Sequence, residues 1–338
     1  MERIIQQTDY DAFASKLCAI NYKYLPPVPD AITDTIDNDL QSLYQNIATL
    51  HMEYYHTLKE ENRNIYGKIN KLMRNPFPVM NYGSYLRTMA IDSSIINYIN
   101  NELPLKETKF QIVNFGSGSD LRFIQYLEKF NQRISKFIDL DFKDAINLKT
   151  KILNKSIFLN QLVTKYNDQF IMLEGDLKDI TTTMKQLEQN LDLTIPTIFI
   201  TECVLCYMTQ IDSQNLITKI MNNFQKGVWV SYDPIGGSNP NDKFGIIMKR
   251  NLLESRNLDM PTLLIYNSKA NYPDRWNFDN NNNSTSIDIR DMWDFVSQSI
   301  TDKEQKRLRS LQFLDEIEEL KIMQSHYVIL NTAWNIEN

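Results

Sequence analysis

The chain has 338 residues, of which 42% are hydrophobic and 11% aromatic. That is enough for two domains or one large α/β unit, and too apolar for disorder. A formal net charge of −6 and a pI of about 5.3 leave no broad basic footprint for nucleic acid, and three cysteines, Cys18, Cys203 and Cys206, argue against a disulfide framework and for a reducing compartment.

The start, "MERIIQQTDYDAF", has no basic n-region followed by an apolar core, and no run is long enough to span a bilayer. The expected compartment is the cytoplasm, with the nucleus also open. Thr8 and Asp9 are placed to cap a helix through "YDAFASKLCAINY". "YLPPVPD" then forces an extended stretch. Apolar spacing is helical from "ITDTIDNDLQSLYQ" to "IYGKINKLM", and "NPFPVMNYGSYLRTMAIDSSIINYIN" reads as a loop and another helix.

The pattern then changes. "FQIVNFGSGSD", "SKFIDLD", "QFIMLEGDL", "TIFITECVLCYM" and "GVWVSYDP" are short apolar runs, most of them ending in polar or acidic clusters, with helical stretches between them. That alternation predicts a parallel sheet buried on both faces, whose ligands bind outside the carboxyl ends of the strands. Residues from about 234 to 290 read as a helical insertion, with "NFDNNNNSTS" as a low-complexity tip. "LRSLQFLDEIEELKIM" reads as one helix, and the basic Lys306, Arg307 and Arg309 followed by Asp315, Glu316, Glu318 and Glu319 read as a solvated amphipathic face. "SHYVILNTAW" reads as a last strand.

Only nine glycines occur, yet Gly116 and Gly118 fall in one turn after the first predicted strand. Either their amides approach a ligand, or the turn is a tight strand-to-helix connection. Leu121 stands where the dinucleotide fingerprint needs a third glycine, which disfavours NAD. Asp139 and Asp141 end the second run, where a doubly wound sheet holds a ribose diol. They share a face of the strand, so spacing does not choose between them. In "EGDL", Asp176 and Leu177 suit a purine edge and face, although Asp176 or Asp179 equally suits a helix cap. Glu202 needs a partner if it is buried. Cys203 and Cys206 have no second ligand pair for zinc and read as packing residues. His51, His56 and His326 are scattered, and G-x-S-x-G, P-loop and H-E-x-x-H motifs are missing.

Strung together, "VMNYGSYLRT", "VNFGSGSD", "IDLDF", "GDL", "TECVLCYM", "DKFG" and "LRSLQFLDEIEEL" resemble the leucine carboxyl methyltransferases, most closely the fungal members, over nearly the whole chain. The resemblance implies an α/β, class I S-adenosylmethionine-dependent core, Rossmann-like and doubly wound, over residues 106–338. An N-terminal helical lid would cover 1–105. It implies S-adenosyl-L-methionine as cofactor, no metal, and the C-terminal leucine of the type 2A protein phosphatase catalytic subunit as substrate. By motif, Gly116 lies beside the methionine part of the cofactor, Asp141 rather than Asp139 holds the ribose, Asp176 and Leu177 frame the adenine, and Glu202 meets the amino group. Arg87 and Lys16 supply positive charge at the carboxylates of cofactor and substrate. Tyr207 faces the substrate carboxylate, so Arg87 and Tyr207 are the catalytic candidates. Ser117 departs from the Cys or Ala of many class I enzymes but is equally small. The phosphatase is the implied partner, without nucleic acid or membrane, and a monomer is the default.

The chemistry is consistent with that list. An α-carboxyl has a pKa of about 3.3–3.7 and is already ionised at neutral pH, so attack on a sulfonium methyl needs no general base. The task is to exclude water and align the reacting atoms. Two rivals stay open: a tRNA guanosine-modifying relative, which would add a long β-propeller half, and a scaffold that binds a phosphatase without catalysis.

Overall fold

Near residue 108 the helical spacing of apolar residues gives way to short unbroken apolar runs, and the architecture changes with it. The computed structural model describes residues 2–33, 37–74, 77–103, 108–237, 241–276, 283–314 and 317–336. The front is helical: α1 (Glu2–Asn21), α2 (Asp37–Leu43), α3 (Ile47–Glu61), α4 (Arg63–Met73) and α5 (Pro78–Asn101). Asn62 caps α4 by accepting from the Ile65 amide at 3.1 Å, and α5 opens on Pro78, where a missing N–H costs nothing. The expected cap at Thr8 or Asp9 is corrected: α1 already begins at Glu2, and both residues lie inside it. The Thr8 hydroxyl bonds back to the Ile5 carbonyl at 2.6 Å, and Asp9 reaches out to the sheet.

Beyond the change, strands and helices alternate: β1 (Phe110–Phe115), α6 (Arg122–Phe130), β2 (Ile134–Asp141), α7 (Lys143–Lys155), α8 (Ile157–Lys165), β3 (Phe170–Glu174), α9 (Ile180–Asn190), β4 (Thr197–Glu202), α10 (Gln210–Asn223) and β5 (Lys226–Pro234). They are followed by α11 (Phe244–Arg256), β6 (Asn283–Asp291), α12 (Met292–Ser299), α13 (Asp302–Leu311), α14 (Ile317–Ser325) and β7 (Tyr327–Ile336). The seven strands form one sheet in the order β3-β2-β1-β4-β5-β7-β6. The first five are parallel, and β7 runs antiparallel to both β5 and β6.

Successive strand residues feed two cores. Ile112, Phe137, Ile200 and Val230 pack with the helical front, while Val113, Ile138, Phe199 and Trp229 face the other layer. This is the two-sided burial that unbroken apolar strands demand.

Two sequence expectations are corrected here. Residues 283–291 are strand β6, paired with β7 from Asn283↔Ile336 to Asp291↔Val328, rather than the low-complexity tip expected for 283–286 and the helical insertion expected for 287–290. Polar Asn, Ser and Thr flank the short Ile287–Ile289 alternation and hid it; residues 277–282 lie outside the described residues. The single helix expected from 308 to 323 is two helices, α13 and α14, because Gln312 turns extended at φ −143. Asp315 and Glu316 lie outside the described residues.

Candidate active site

The strand order reverses between β1 and β4, and the crevice beyond their carboxyl ends is where such sheets bind ligands. Register brings the ends level: Phe115 pairs with Leu140 and Thr201, Asp141 with Glu174, and Glu202 with Tyr232. A cavity of about 590 Å³ opens there, and Lys16, Arg87, Gly116, Asp141, Asp176, Leu177, Glu202 and Tyr207 all line it. These eight residues are therefore in one place, although they come from seven separate points along the sequence; Asp139 does not line the cavity.

Both glycines of the turn are required by geometry. Gly116 has φ +64 and Gly118 φ +43, a region that side chains resist. A Cβ on Gly116 would lie 2.6 Å from the Val204 side chain, and one on Gly118 would lie 2.3 Å from Asp9 Oδ1. The turn reading thus holds for both glycines, and what lies against Gly118 is a carboxylate of the chain itself.

The two aspartates of β2 part company. Asp139 is fully buried, salt-bridged to Lys149 Nζ at 2.7 Å and bonded by Asn114 at 3.3 Å. Asp141, one rung further out, lines the cavity and accepts from the Gly118 amide at 2.7 Å and the Phe142 amide at 2.6 Å. Burial pushes its carboxyl up to about 6, against the pull of those amides. The two cap candidates also separate. Asp179 is the one that caps α9, accepting from Thr182 N at 3.1 Å, while Asp176 accepts from Lys178 N at 3.0 Å and keeps its place in the cavity wall.

Glu202 finds the partners its burial demands. Arg87 Nε donates to Oε1, and Arg122 Nη1 to Oε2 at 2.5 Å. The Arg87 guanidinium also sits over the Tyr232 ring at 5.4 Å. Burial alone would raise the Glu202 carboxyl; Arg122, Arg87 and Lys16 override it and hold it at about 2. Tyr207 lies in a 3-10 turn, Leu205–Tyr207, and burial raises its hydroxyl well above the usual range.

Arg122 is the hub that sequence reasoning missed. It is 1% exposed and holds Glu202, Asp120 at 2.7 Å and Asp92 at 2.8 Å at once. Asp120 also faces Lys16 Nζ at 3.8 Å. The signal was present in "DLRFIQYL": Phe123, Ile124, Tyr126 and Leu127 of α6 are buried around the arginine. The cysteines are free, with burial raising the Cys203 thiol to about 12. His51 is held neutral, lowered to about 3 by burial, and stacks on Phe13.

Comparison with known proteins decides the family. The leucine carboxyl methyltransferase model matches residues 34–221. The chain belongs to that family. It is similar to Leucine carboxyl methyltransferase 1 of Kluyveromyces lactis, at 37% identity over 350 residues, covering 99% of this chain and 100% of that protein. It is also 36% identical to that of Eremothecium gossypii, over 99% of this chain and 100% of that protein. A Thermobifida fusca structure assigned as a methyltransferase superposes with a TM-score of 0.51 at 9% identity, over 84% of this chain and 94% of that one, a likeness of fold alone. The family drawn from the motifs and the class I fold are both borne out.

A leucine carboxyl methyltransferase is an enzyme, and its methyl donor is S-adenosylmethionine. The residues fit such a group. The cavity has the volume of a small-molecule site, about 300–1,000 Å³, and mixes carboxylate acceptors with Lys16 and Arg87. Ser117 Oγ is buried in its wall without a partner among the described residues. No described helix of this leucine carboxyl methyltransferase is long and apolar enough to cross a membrane.

Proposed function

We propose that the protein esterifies the C-terminal leucine carboxylate of the type 2A protein phosphatase catalytic subunit. The observation that carries this is the convergence of Arg87, Lys16, Glu202 and Tyr207 on the cavity that also holds Gly116 and Asp141. When bound, S-adenosylmethionine supplies an electrophilic methyl on a sulfonium centre. Asp141 accepts from the ribose hydroxyls, Asp176 and Leu177 hold the adenine, and Glu202 accepts from the amino group. Lys16 and Arg87 neutralise carboxylates. The Arg87 fork grips the leucine carboxylate and selects which oxygen faces the methyl. Its Nε is fixed by Glu202, which is fixed in turn by Arg122, so the guanidinium is held before the substrate arrives. Tyr207 supplies a neutral hydroxyl beside the same carboxylate. No side chain is asked to take a proton, since the nucleophile is already an anion.

Residues 1–105 form the lid and 106–338 the core in this reading, with the insertion at about 234–290; the boundary itself falls at 104–107, outside the described residues. The enzyme works as a monomer in the cytoplasm and the nucleus. Tritiated methyl transfer from S-adenosylmethionine to purified phosphatase catalytic subunit tests the proposal. The label should be base-labile, as an ester is, and disappear when the final leucine is deleted; label retained on the shortened tail refutes the substrate.

A further inference from the structure

Helix α1 does more than cover the cavity. Asp9 projects from it onto the glycine turn, with Oδ1 accepting from the Ser119 amide at 2.8 Å and Oδ2 from the Ser119 hydroxyl at 2.7 Å. The space a side chain would need at Gly118 is filled by this carboxylate. From the preceding peptide unit, the Gly118 amide donates to Asp141. Two carboxylates, one from the front helices and one from the sheet, thus share the Gly118–Ser119 backbone and both line the cavity. Lys16, two turns further along the same face of α1, reaches Asp120 just after the turn, and Asp11 pairs with Arg256 of α11 at the rim.

We propose that Asp9 is a positioning residue of the cofactor site: it clasps α1 onto the glycine turn, so that the front helix and the cofactor are seated by the same few backbone groups. This rests on the cofactor reading above and extends it to a residue that reading does not use. The clasp makes occupancy and closure of α1 mutually reinforcing, because whatever orders Gly116–Ser119 orders both. A purely structural contact would affect melting without selecting for cofactor.

The test measures S-adenosylhomocysteine affinity by calorimetry, initial rates against S-adenosylmethionine, and tryptic cleavage within α1 with and without S-adenosylhomocysteine. Asp9→Ala should weaken affinity by about ten- to hundredfold and raise KM by a similar factor, with kcat changed by less than about threefold. Cleavage at Arg3 and Lys16 should become fast and no longer be slowed by the ligand. Asp9→Asn can still accept from the Ser119 amide and donate to its hydroxyl, so it should recover most of the lost affinity relative to Ala. Gly118→Ala displaces the carboxylate from the other side, and combining it with Asp9→Ala should cost less than the sum of the two. Asp9→Ala protein that folds, binds S-adenosylhomocysteine as wild type does and keeps ligand protection of α1 overturns the clasp. So does an Asn variant as impaired as Ala, which would assign the effect to charge. Failure of the wild-type protein to bind S-adenosylhomocysteine at all would instead overturn the cofactor reading, so the two failures are distinguishable.

Discussion

Two acids end neighbouring strands and behave oppositely. Glu202, at the end of β4, touches two arginines and lies near Lys16, and its carboxyl is held at about 2. Asp233, near the end of β5, is bonded by neutral donors, the Tyr272 hydroxyl at 2.7 Å and the Cys206 amide at 3.4 Å. Burial raises its carboxyl, and the more distant Arg275 offsets only part of that. Around Asp233, Tyr272 also shares a hydrogen bond with Ser231 at 2.9 Å, and Arg275 lies over the Tyr272 ring at 5.2 Å. The Glu202 cluster opens on a cavity, which Asp233 does not line; unpartnered nitrogens occur in both, at Arg122 Nη2 and at Arg275 Nε and Nη1, among the described residues. A buried acid tells little by itself. Fixed cations around it and an open wall mark a site, whereas neutral donors and a sealed wall mark a strut.

The largest effect should come from the hub. Arg122→Ala leaves Glu202, Asp120 and Asp92 buried without their common cation, and breaking such a network costs about 3–5 kcal/mol. Chemical denaturation should show a midpoint well below wild type; unchanged stability would break the comparison at its base. Next is Arg87→Lys. A point charge cannot hold a carboxylate in two places, so kcat should fall by about a hundredfold while the fold and the melting curve stay close to wild type. Steady-state kinetics beside circular dichroism checks this, and unaltered turnover would discard the orienting role.

A third, smaller effect is in pH. The Asp141 carboxyl, at about 6 in the free protein, offers both oxygens as strong acceptors to hydroxyls only when ionised. S-adenosylhomocysteine affinity should therefore drop by about tenfold from pH 7 to pH 5, and the profile should flatten in Asp141→Asn. The sign for stability is the reverse. A carboxyl raised on folding contributes stability that is present below its unfolded value, about 3.9, and is lost as pH rises through about 6. Calorimetry across pH 5 to 7 on wild type and Asp141→Asn separates the two trends. The smallest effect belongs to the strut: Asp233→Asn keeps an acceptor for one donor, should cost about 1 kcal/mol, and should leave turnover within about twofold. A large loss of activity there would erase the contrast with Glu202.

Much of this was legible in advance, for a reason that particular residues make plain. Gly116, Asp141, Asp176 and Glu202 follow apolar runs directly, so short-range pattern located them at strand ends. Arg87 and Lys16, on helices remote from the sheet in sequence, entered through family resemblance and not through spacing. Asp9 and Arg122 escaped both routes. A charge on a helix looks solvated until the partner is known, and Asp9 finds its partner 110 residues away. Strand β6 escaped because its alternation is short and set among Asn, Ser and Thr.

Sequence by itself determined the succession of helices and buried strands, the glycine turn and the acids that cap the strands, since periodicity and local backbone preference are properties of neighbouring residues. Tertiary structure alone decided that Asp141 faces the cavity while Asp139 is locked to Lys149, that Glu202 is shared by two arginines, and that α1 is fastened to the turn. Those outcomes depend on which distant groups register and helix packing bring within hydrogen-bond reach, and on how much water is left around them.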